Sequence, residues 1–550
     1  MSQFPPIDPN QGPHAPLPEL SGVRTETSAP RRRRTGLKIA IGVIALLTIG
    51  GLIFAACSPL LGLVPGTSES GTGSEIVPGP KPEGTLAGYY GQQLDWQPCW
   101  TGKECAVAHA PLDWADPAGE SITLALVRLP SSGKSPLGSL LVNPGGPGAS
   151  GVEMVAQGAE YFTSDRVREN YDLVGWDPRG VGGSSSVSCL TDAEMDEYLF
   201  SVTDAERGSP EWFAEASTSA REFGESCQKN TGALLGTVDT ISTAHDLDML
   251  RAVLGDEKLH YLGFSYGTSI GAQYAEAFPE NVGRLVLDGA MDPTATESET
   301  VKFQTEGFEL ATRAYLADCL AGESCPFAGT VDEAMAEIGQ TLHELDATPL
   351  TGTDGRLVGS GTMLTAIIYP LYSQQSWPYL DDLFASVREG DGDVALTLAD
   401  GYYGRNADGT YRDNSFEAFM AINCLDYPRD ADPDKMRAQA EELVKIAPTF
   451  GPFQGYGGLG CANWPYPNIT PNTPVTAAGA DPILVVGTTG DPATPYRWAV
   501  NLSEQLENGA LLSYEGEGHT AYGSAGSTCV DSAVDAYLIE GTVPEPGARC

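Results

Sequence analysis

The stretch LHYLGFSYGTSIGAQYAEAFP, Leu259 to Pro279, constrains the fold more than any other part of the chain. Its first six residues form an apolar strand pattern, and the residues after Ser265 read as a helix. Gly263-x-Ser265-x-Gly267 therefore falls on a strand-to-helix junction. The pentapeptide alone means little, because glycine and serine are common residues. At such a junction it acquires a mechanical meaning: a tight turn strains the serine backbone and exposes its hydroxyl, and the two glycines remove side chains that would meet the neighbouring strand and helix.

Other short apolar runs repeat the strand half of this unit. They are SLLVN at Ser139–Asn143, YDLVGWD at Tyr171–Asp177, RLVLDG at Arg284–Gly289, PILVVGT at Pro482–Thr488 and ALLSYEG at Ala510–Gly516. Helical stretches such as TAHDLDMLRAVLG, Thr243 to Gly255, separate several of them. Short apolar strands alternating with helices predict an α/β fold, a mostly parallel sheet with helices on both faces. Between Asp292 and Ala477 strand signals fade and helical stretches such as FELATRAYLADCL and DKMRAQAEELVKIA take over. The pattern predicts a core over 86–292 and 478–550, with a mainly helical cap inserted at 293–477 over the open end of the sheet.

The amino-terminal part obeys different rules. Residues 1–38 are polar, proline-rich and end near RRRR at Arg31–Arg34, and an apolar run of about 19 residues follows, Ile39 to Cys57. A basic flank before a span-length apolar run predicts a membrane anchor with the rest of the chain outside the cytoplasm. Phe54-Ala-Ala-Cys57 also resembles the lipobox of bacterial lipoproteins, which makes Cys57 a lipidation candidate; an uncleaved membrane helix is the alternative. Residues 58–85, rich in Gly, Ser and Pro, read as a flexible tether. The formal charge of −42 would repel nucleic acid, so no nucleic-acid partner is expected.

Eleven cysteines in an exported chain leave one unpaired, and Cys57 is the natural odd one. The other ten, Cys99, Cys105, Cys189, Cys227, Cys319, Cys325, Cys424, Cys461, Cys529 and Cys550, suffice for five disulfides, and their order suggests local pairing. No CxxC pair occurs and no histidine clusters with them, which argues against a metal site.

A serine hydroxyl needs a base to become a nucleophile. Of six histidines, His14 precedes the apolar run, His109 and His245 precede the elbow, His260 lies on the strand leading into it, and His343 falls in the expected cap. His519, in YEGEGHTAYG after the last strand, remains. The base needs a carboxylate, which follows the serine and precedes the histidine in folds built on this elbow. Asp491, just past the strand in PILVVGTTGDPATP, fits that order, whereas Asp481 sits at the wrong end of the strand. Thr494 could bond the Asp491 carboxylate, line the site, or simply stabilise the turn. An oxyanion needs two donors: the N–H of Tyr266, and one from the glycine loop of LLVNPGGPGASG, with Gly146 first and Gly145 next.

NPGGPGASG, GWDPRGVGGSS, GFSYGTSIGAQYAEAFP, and GDPATP followed by GEGHT together resemble the exported tripeptidyl-aminopeptidase branch of the α/β-hydrolases, relatives of proline iminopeptidases common in actinobacteria. The resemblance runs from about Leu86 to the end. It implies an α/β-hydrolase fold and a cofactor-free serine exopeptidase that releases short peptides from free amino termini, with Ser265, Asp491 and His519 as its triad. Where the iminopeptidases carry HGGPG, this chain has Pro144 in place of the histidine; neither glycine donor is lost. An exopeptidase must also hold an ammonium group, and Asp426 in NCLDYP is the candidate, against a solvated loop residue. Asp177 and Arg179 are expected to brace the loop beside the sheet. A cell-surface esterase or lipase with the same triad is the alternative, and a noncatalytic binding protein a third reading.

Overall fold

The computed structural model describes residues 78–428, 430–470 and 472–550. The basic stretch, the apolar run with Cys57, and the tether up to residue 77 lie outside the described residues. Among the described residues, no helix is long and apolar enough to cross a membrane.

Eleven strands occur along the described chain: β1 Gln97–Pro98, β2 Glu104–Pro111, β3 Ser121–Leu129, β4 Ser139–Asn143, β5 Asp172–Trp176, β6 Leu259–Phe264, β7 Val282–Asp288, β8 Leu350–Thr351, β9 Leu357–Val358, β10 Ile483–Gly490 and β11 Gly509–Glu517. Nine form one sheet in the order β1-β2-β3-β5-β4-β6-β7-β10-β11, and β8 pairs only with β9. From β5 to β11 every pairing in the sheet is parallel. The antiparallel edge β1-β2-β3 is additional to the sequence expectation. Its signal was present in SITLALVRL, whose alternating burial differs from the unbroken burial of β4.

Successive side chains on the parallel strands face opposite ways, and the core divides accordingly. Tyr261, Leu285, Leu287, Ile483 and Val485 pack with helices 240–254 and 266–277 on one face. Leu262, Val286, Leu484 and Val486 pack with helices 151–162 and 528–540 on the other. This two-sided cover is the α/β-hydrolase arrangement that the motifs implied, and it carries the open strand ends of β6, β7, β10 and β11 side by side.

Between β7 and β10 the chain is mainly helical apart from the β8–β9 ribbon, with helices 297–321, 331–347, 360–371, 378–388, 393–403, 415–426 and 433–446 the longest. Helices 192–200 and 210–231, between β5 and β6, join them. Trp212, Phe213, Ala216 and Ala220 pack with Met436 and Leu459. The Glu417 carboxylate accepts the N–H groups of Cys189 at 2.9 Å and Leu190 at 2.8 Å. Cys99–Cys105, Cys189–Cys227, Cys319–Cys325, Cys424–Cys461 and Cys529–Cys550 are bonded, the pairing that chain order suggested. Such a disulfide set belongs to a compartment outside the cytoplasm.

Asp177 and Arg179 brace the loop after β5. Asp177 accepts from Ser150 Oγ at 2.6 Å, Val152 N at 3.1 Å and Gly183 N at 2.8 Å. The fully buried Arg179 makes a two-pronged pair with Asp246, both bonds 2.7 Å, and donates to three backbone carbonyls.

His260 contributes to acid sensitivity rather than to the site. Its Nδ1 accepts the Arg284 N–H at 3.2 Å, which requires a neutral ring. Burial, then the charge of Arg284, pulls its pKa down to about 4. In the unfolded chain it titrates near ~6.5, so protons favour unfolding: its contribution is intact above that value and is lost as pH falls toward about 4. His260→Gln should therefore flatten the fall in unfolding free energy across this window in urea titrations. An unchanged slope would assign the acid loss to another group.

Candidate active site

The elbow holds Ser265 at φ 52° and ψ −123°, a left-handed backbone that only Ala477 and Thr520 share among the described non-glycine residues. Its N–H donates to the Asp288 carbonyl at 2.9 Å, and its carbonyl accepts from Thr268 N at 2.8 Å and Thr268 Oγ1 at 2.5 Å. A Cβ on Gly263 would sit 2.5 Å from the Gly267 carbonyl oxygen, and one on Gly267 would sit 2.8 Å from the Asn143 carbonyl oxygen. Both glycines of the pentapeptide are sterically required.

Asp491 and His519 meet although 28 residues separate them. His519 Nδ1 lies 2.9 Å from each Asp491 oxygen, which makes Nδ1 the protonated nitrogen and leaves the Nε2 lone pair for chemistry. Nε2 is buried and has no hydrogen-bond partner among the described residues, the Ser265 hydroxyl included. The Asp491 carboxylate also accepts Ala493 N at 2.9 Å, Thr494 N at 2.8 Å, Thr494 Oγ1 at 2.9 Å and Thr520 N at 3.1 Å. Thr494 Oγ1 stands 3.2 Å from His519 Nδ1, so this threonine both caps the turn and touches the imidazole. The Tyr372 ring, at the end of helix 360–371, packs edge-on against His519 at 5.3 Å, and its carbonyl accepts the His519 N–H at 2.8 Å.

The glycine loop lies directly against the elbow. Gly145, Gly146 and Gly148 all have positive φ, near 100°. A Cβ on Gly145 would come within 2.5 Å of the Phe264 carbonyl oxygen and 3.0 Å of both Ser265 Cβ and Tyr266 N. The Gly145 N–H is already donated to Asn143 Oδ1 at 2.9 Å. With its N–H so engaged, Gly145 supplies close approach, and Gly146 stands as the loop's first candidate beside Tyr266 N–H. Asn143 had no signal beyond its place at the end of β4.

Asp426 closes helix 415–426 rather than lying on a solvated loop. It accepts from Thr240 N at 3.0 Å, Thr240 Oγ1 at 2.5 Å and Thr470 Oγ1 at 2.7 Å, and Thr240 Oγ1 is also 2.5 Å from the Tyr266 hydroxyl. Its bonds therefore run to neither Ser265 nor His519. Burial, with Asp239 nearby, pushes its carboxyl up to about 6. Asp426, Tyr266, Ser269 and Thr470 line a small cavity of about 40 Å³.

Sequence reasoning passed over Asp288 and Gly289, although RLVLDG put both at the end of a parallel strand. A Cβ on Gly289, which has φ 65°, would lie 3.0 Å from Thr494 Oγ1 and 3.3 Å from His519 Cε1. The histidine rests on this bare backbone.

Residues 447–550 match the family described as TAP-like protein. Serine protease Hip1 of Mycobacterium tuberculosis is 39% identical over 481 residues, 84% of this chain and 91% of its own. Carboxylesterase B of the same organism is 38% identical over 94% of this chain and 99% of its own length. Tripeptidyl aminopeptidase of Streptomyces lividans is 28% identical over 83% and 86%. Likeness at this level along most of both chains, on a sheet with this order and this elbow, leaves no room for accident: the chain belongs to the tripeptidyl-aminopeptidase-like family of α/β-hydrolase serine peptidases.

Proposed function

We propose that this protein is a membrane-anchored serine exopeptidase that releases short peptides, tripeptides foremost, from free amino termini outside the cytoplasm. The observation that carries the reading is the His519 imidazole, clasped at Nδ1 by both Asp491 oxygens while its buried Nε2 has no partner among the described residues. In this mechanism Nε2 takes the Ser265 proton as the hydroxyl oxygen attacks the peptide carbonyl. The developing oxyanion is held by the N–H groups of Tyr266 and Gly146, a term that contributes roughly 10²–10³ in rate per donor. His519 then protonates the departing amine, and water, deprotonated by the same nitrogen, releases the acyl group and restores Ser265. Asp491 keeps the tautomer and stabilises the imidazolium, and Thr494 keeps Asp491 in place.

Residues 293–477 act in this reading as the lid over the strand ends, and the apolar run 39–57, through Cys57 lipidation or as a helix, is the anchor. Three protein donors occupy the Asp426 oxygens, which leaves capacity for one more from the cavity beside Tyr266. A substrate's free ammonium is a donor of matching charge. The Carboxylesterase B relative motivates ester hydrolysis as the second reading.

The test is a panel of peptidyl substrates with free and blocked amino termini beside short-chain esters, assayed with purified protein. Free tripeptidyl substrates are expected to turn over and blocked ones to fail. Equal rates on blocked peptides or on esters would defeat the exopeptidase assignment, and mass spectrometry of the mature amino terminus separates the two anchors.

A further inference from the structure

Asp288 ends β7 and is fully buried, one strand away from Asp491 and on the strand next to the nucleophile's. It is bonded to the Ser265 backbone and to the loop that follows His519 through different atoms. Its carbonyl accepts the Ser265 N–H at 2.9 Å. Its carboxylate accepts Ala521 N at 3.1 and 3.0 Å and Tyr522 N at 2.8 Å, the second and third residues after His519.

The histidine loop makes this arrangement informative. Four successive N–H groups, from His519 to Tyr522, end on three acceptors from three separate elements: Tyr372 O, Asp491 Oδ2 and the Asp288 carboxylate. Within that run Thr520 is held at φ 64°, a conformation a β-branched residue adopts only when its surroundings impose it. Without Asp288, two buried N–H groups would lose their partner, and the loop would be free to relax that strain by moving the imidazole.

We infer that Asp288 is a positioning residue that fixes the distance between the Ser265 hydroxyl and the His519 imidazole, by tying the nucleophile elbow and the histidine loop to one strand end. This rests on the reading of His519 as the base for Ser265. A carboxylate is an unexpected choice for a purely structural tie. Burial pushes the Asp288 carboxyl up to about 7, with Asp491 adding to the shift and His519 opposing it. An apolar side chain at this position would avoid that electrostatic cost but accept neither N–H group, whereas an amide oxygen standing in for Oδ2, which takes both the Ala521 and the Tyr522 N–H, could keep the two bonds. The neighbouring Gly289 serves the same geometry, because any side chain there would press on His519 Cε1.

The decisive variant is Asp288→Ala, which leaves both N–H groups unpaired, with Asp288→Asn as the conservative control whose single amide oxygen can stand where Oδ2 accepts both. Full-length protein is assayed for kcat and KM on the best substrate of the panel, and for the rate of Ser265 labelling by a fluorophosphonate. All values are normalised to sites counted by complete labelling, so that an unfolded fraction drops out. The expected result is a kcat lower by roughly 10²-fold, the loss that a misplacement of about 1 Å can cause. KM should change less than about threefold, labelling should slow in parallel with kcat, and the low-field proton resonance of His519 Nδ1–H should shift or broaden. Asp288→Asn, which can keep both bonds through its amide oxygen, should lose less than Asp288→Ala. Wild-type kcat per labelled site in Asp288→Ala would overturn the inference, and so would an unmoved Nδ1–H resonance in that variant. Ser265→Ala runs alongside: if it retains turnover, the underlying mechanism is wrong, whereas its inactivity with an unaffected Asp288→Ala removes only the positioning role.

Discussion

Ser265→Ala is expected to lower kcat on free-amino-terminus peptides by roughly 10⁶-fold while leaving the fold intact, and His519→Ala to cost about as much. The double variant should lose no more than either single one, because a nucleophile without its base and a base without its nucleophile are equally idle. Thermal midpoints should stay close to wild type for Ser265→Ala, since the elbow backbone at φ 52° is held by bonds from Thr268 and Asp288 to main-chain atoms, none of which uses the serine hydroxyl. Steady-state kinetics on the three variants, with fluorophosphonate labelling as the second readout, decide the matter. Losses that multiply in the double variant, or labelling that survives in Ser265→Ala, would refute the pairing of these two residues.

Gly145→Ala is the second large effect, and it comes from a residue whose N–H is donated to Asn143 Oδ1. The added methyl would meet the Phe264 carbonyl oxygen at 2.5 Å and Tyr266 N at 3.0 Å, so either the glycine loop or the elbow must retreat. Both carry candidate oxyanion donors, and displacing one should cost roughly 10²–10³ in kcat. Positive φ alone costs about 1–2 kcal/mol for an alanine, which would lower stability even if nothing moved. Gly255→Ala separates the two contributions: its φ is 90°, but no atom lies within 4 Å of the added carbon. That control should lose stability and keep kcat. If Gly145→Ala behaves the same way, the close packing of loop on elbow is not what holds the donors in place.

These effects follow from parts of the molecule that differ in how far the sequence discloses them. The elbow, the parallel strands, Asp491 and His519 were legible because each is a local pattern placed in a fixed order along the chain. Apolar runs announce strands, and the residue just past a parallel strand's end is where side chains converge on a site. The role of Asn143 was not legible, because only the folded loop reveals that its side chain occupies the Gly145 N–H. Asp288 was equally silent. An Asp-Gly after a strand reads as a turn, and its bond to the histidine loop spans more than 230 residues. The packing of helix 210–231 on Met436 and Leu459 depends on two stretches of chain whose apolar faces match only in three dimensions. Asp426 shows the converse: the residue was picked for its charge, and folding gave it a helix end and three donors instead of open solvent.

The Gly148 turn carries a consequence for anyone who would redesign this enzyme. A Cβ there would lie 2.4 Å from the Ser415 carbonyl oxygen and 3.0 Å from Phe419 N, so the first turn of helix 415–426 is seated on the glycine loop backbone to backbone. Asn414, just before that helix, is sewn to Gly180, Gly182 and Val187 of the core by its side-chain amide. Exchanging the helices between β7 and β10 with those of a relative is therefore not a cut at two strand ends. The graft must keep 414–419 as native sequence, or bring the relative's glycine loop with it; otherwise the recipient inherits a new roof and loses the footing on which its own chemistry stands.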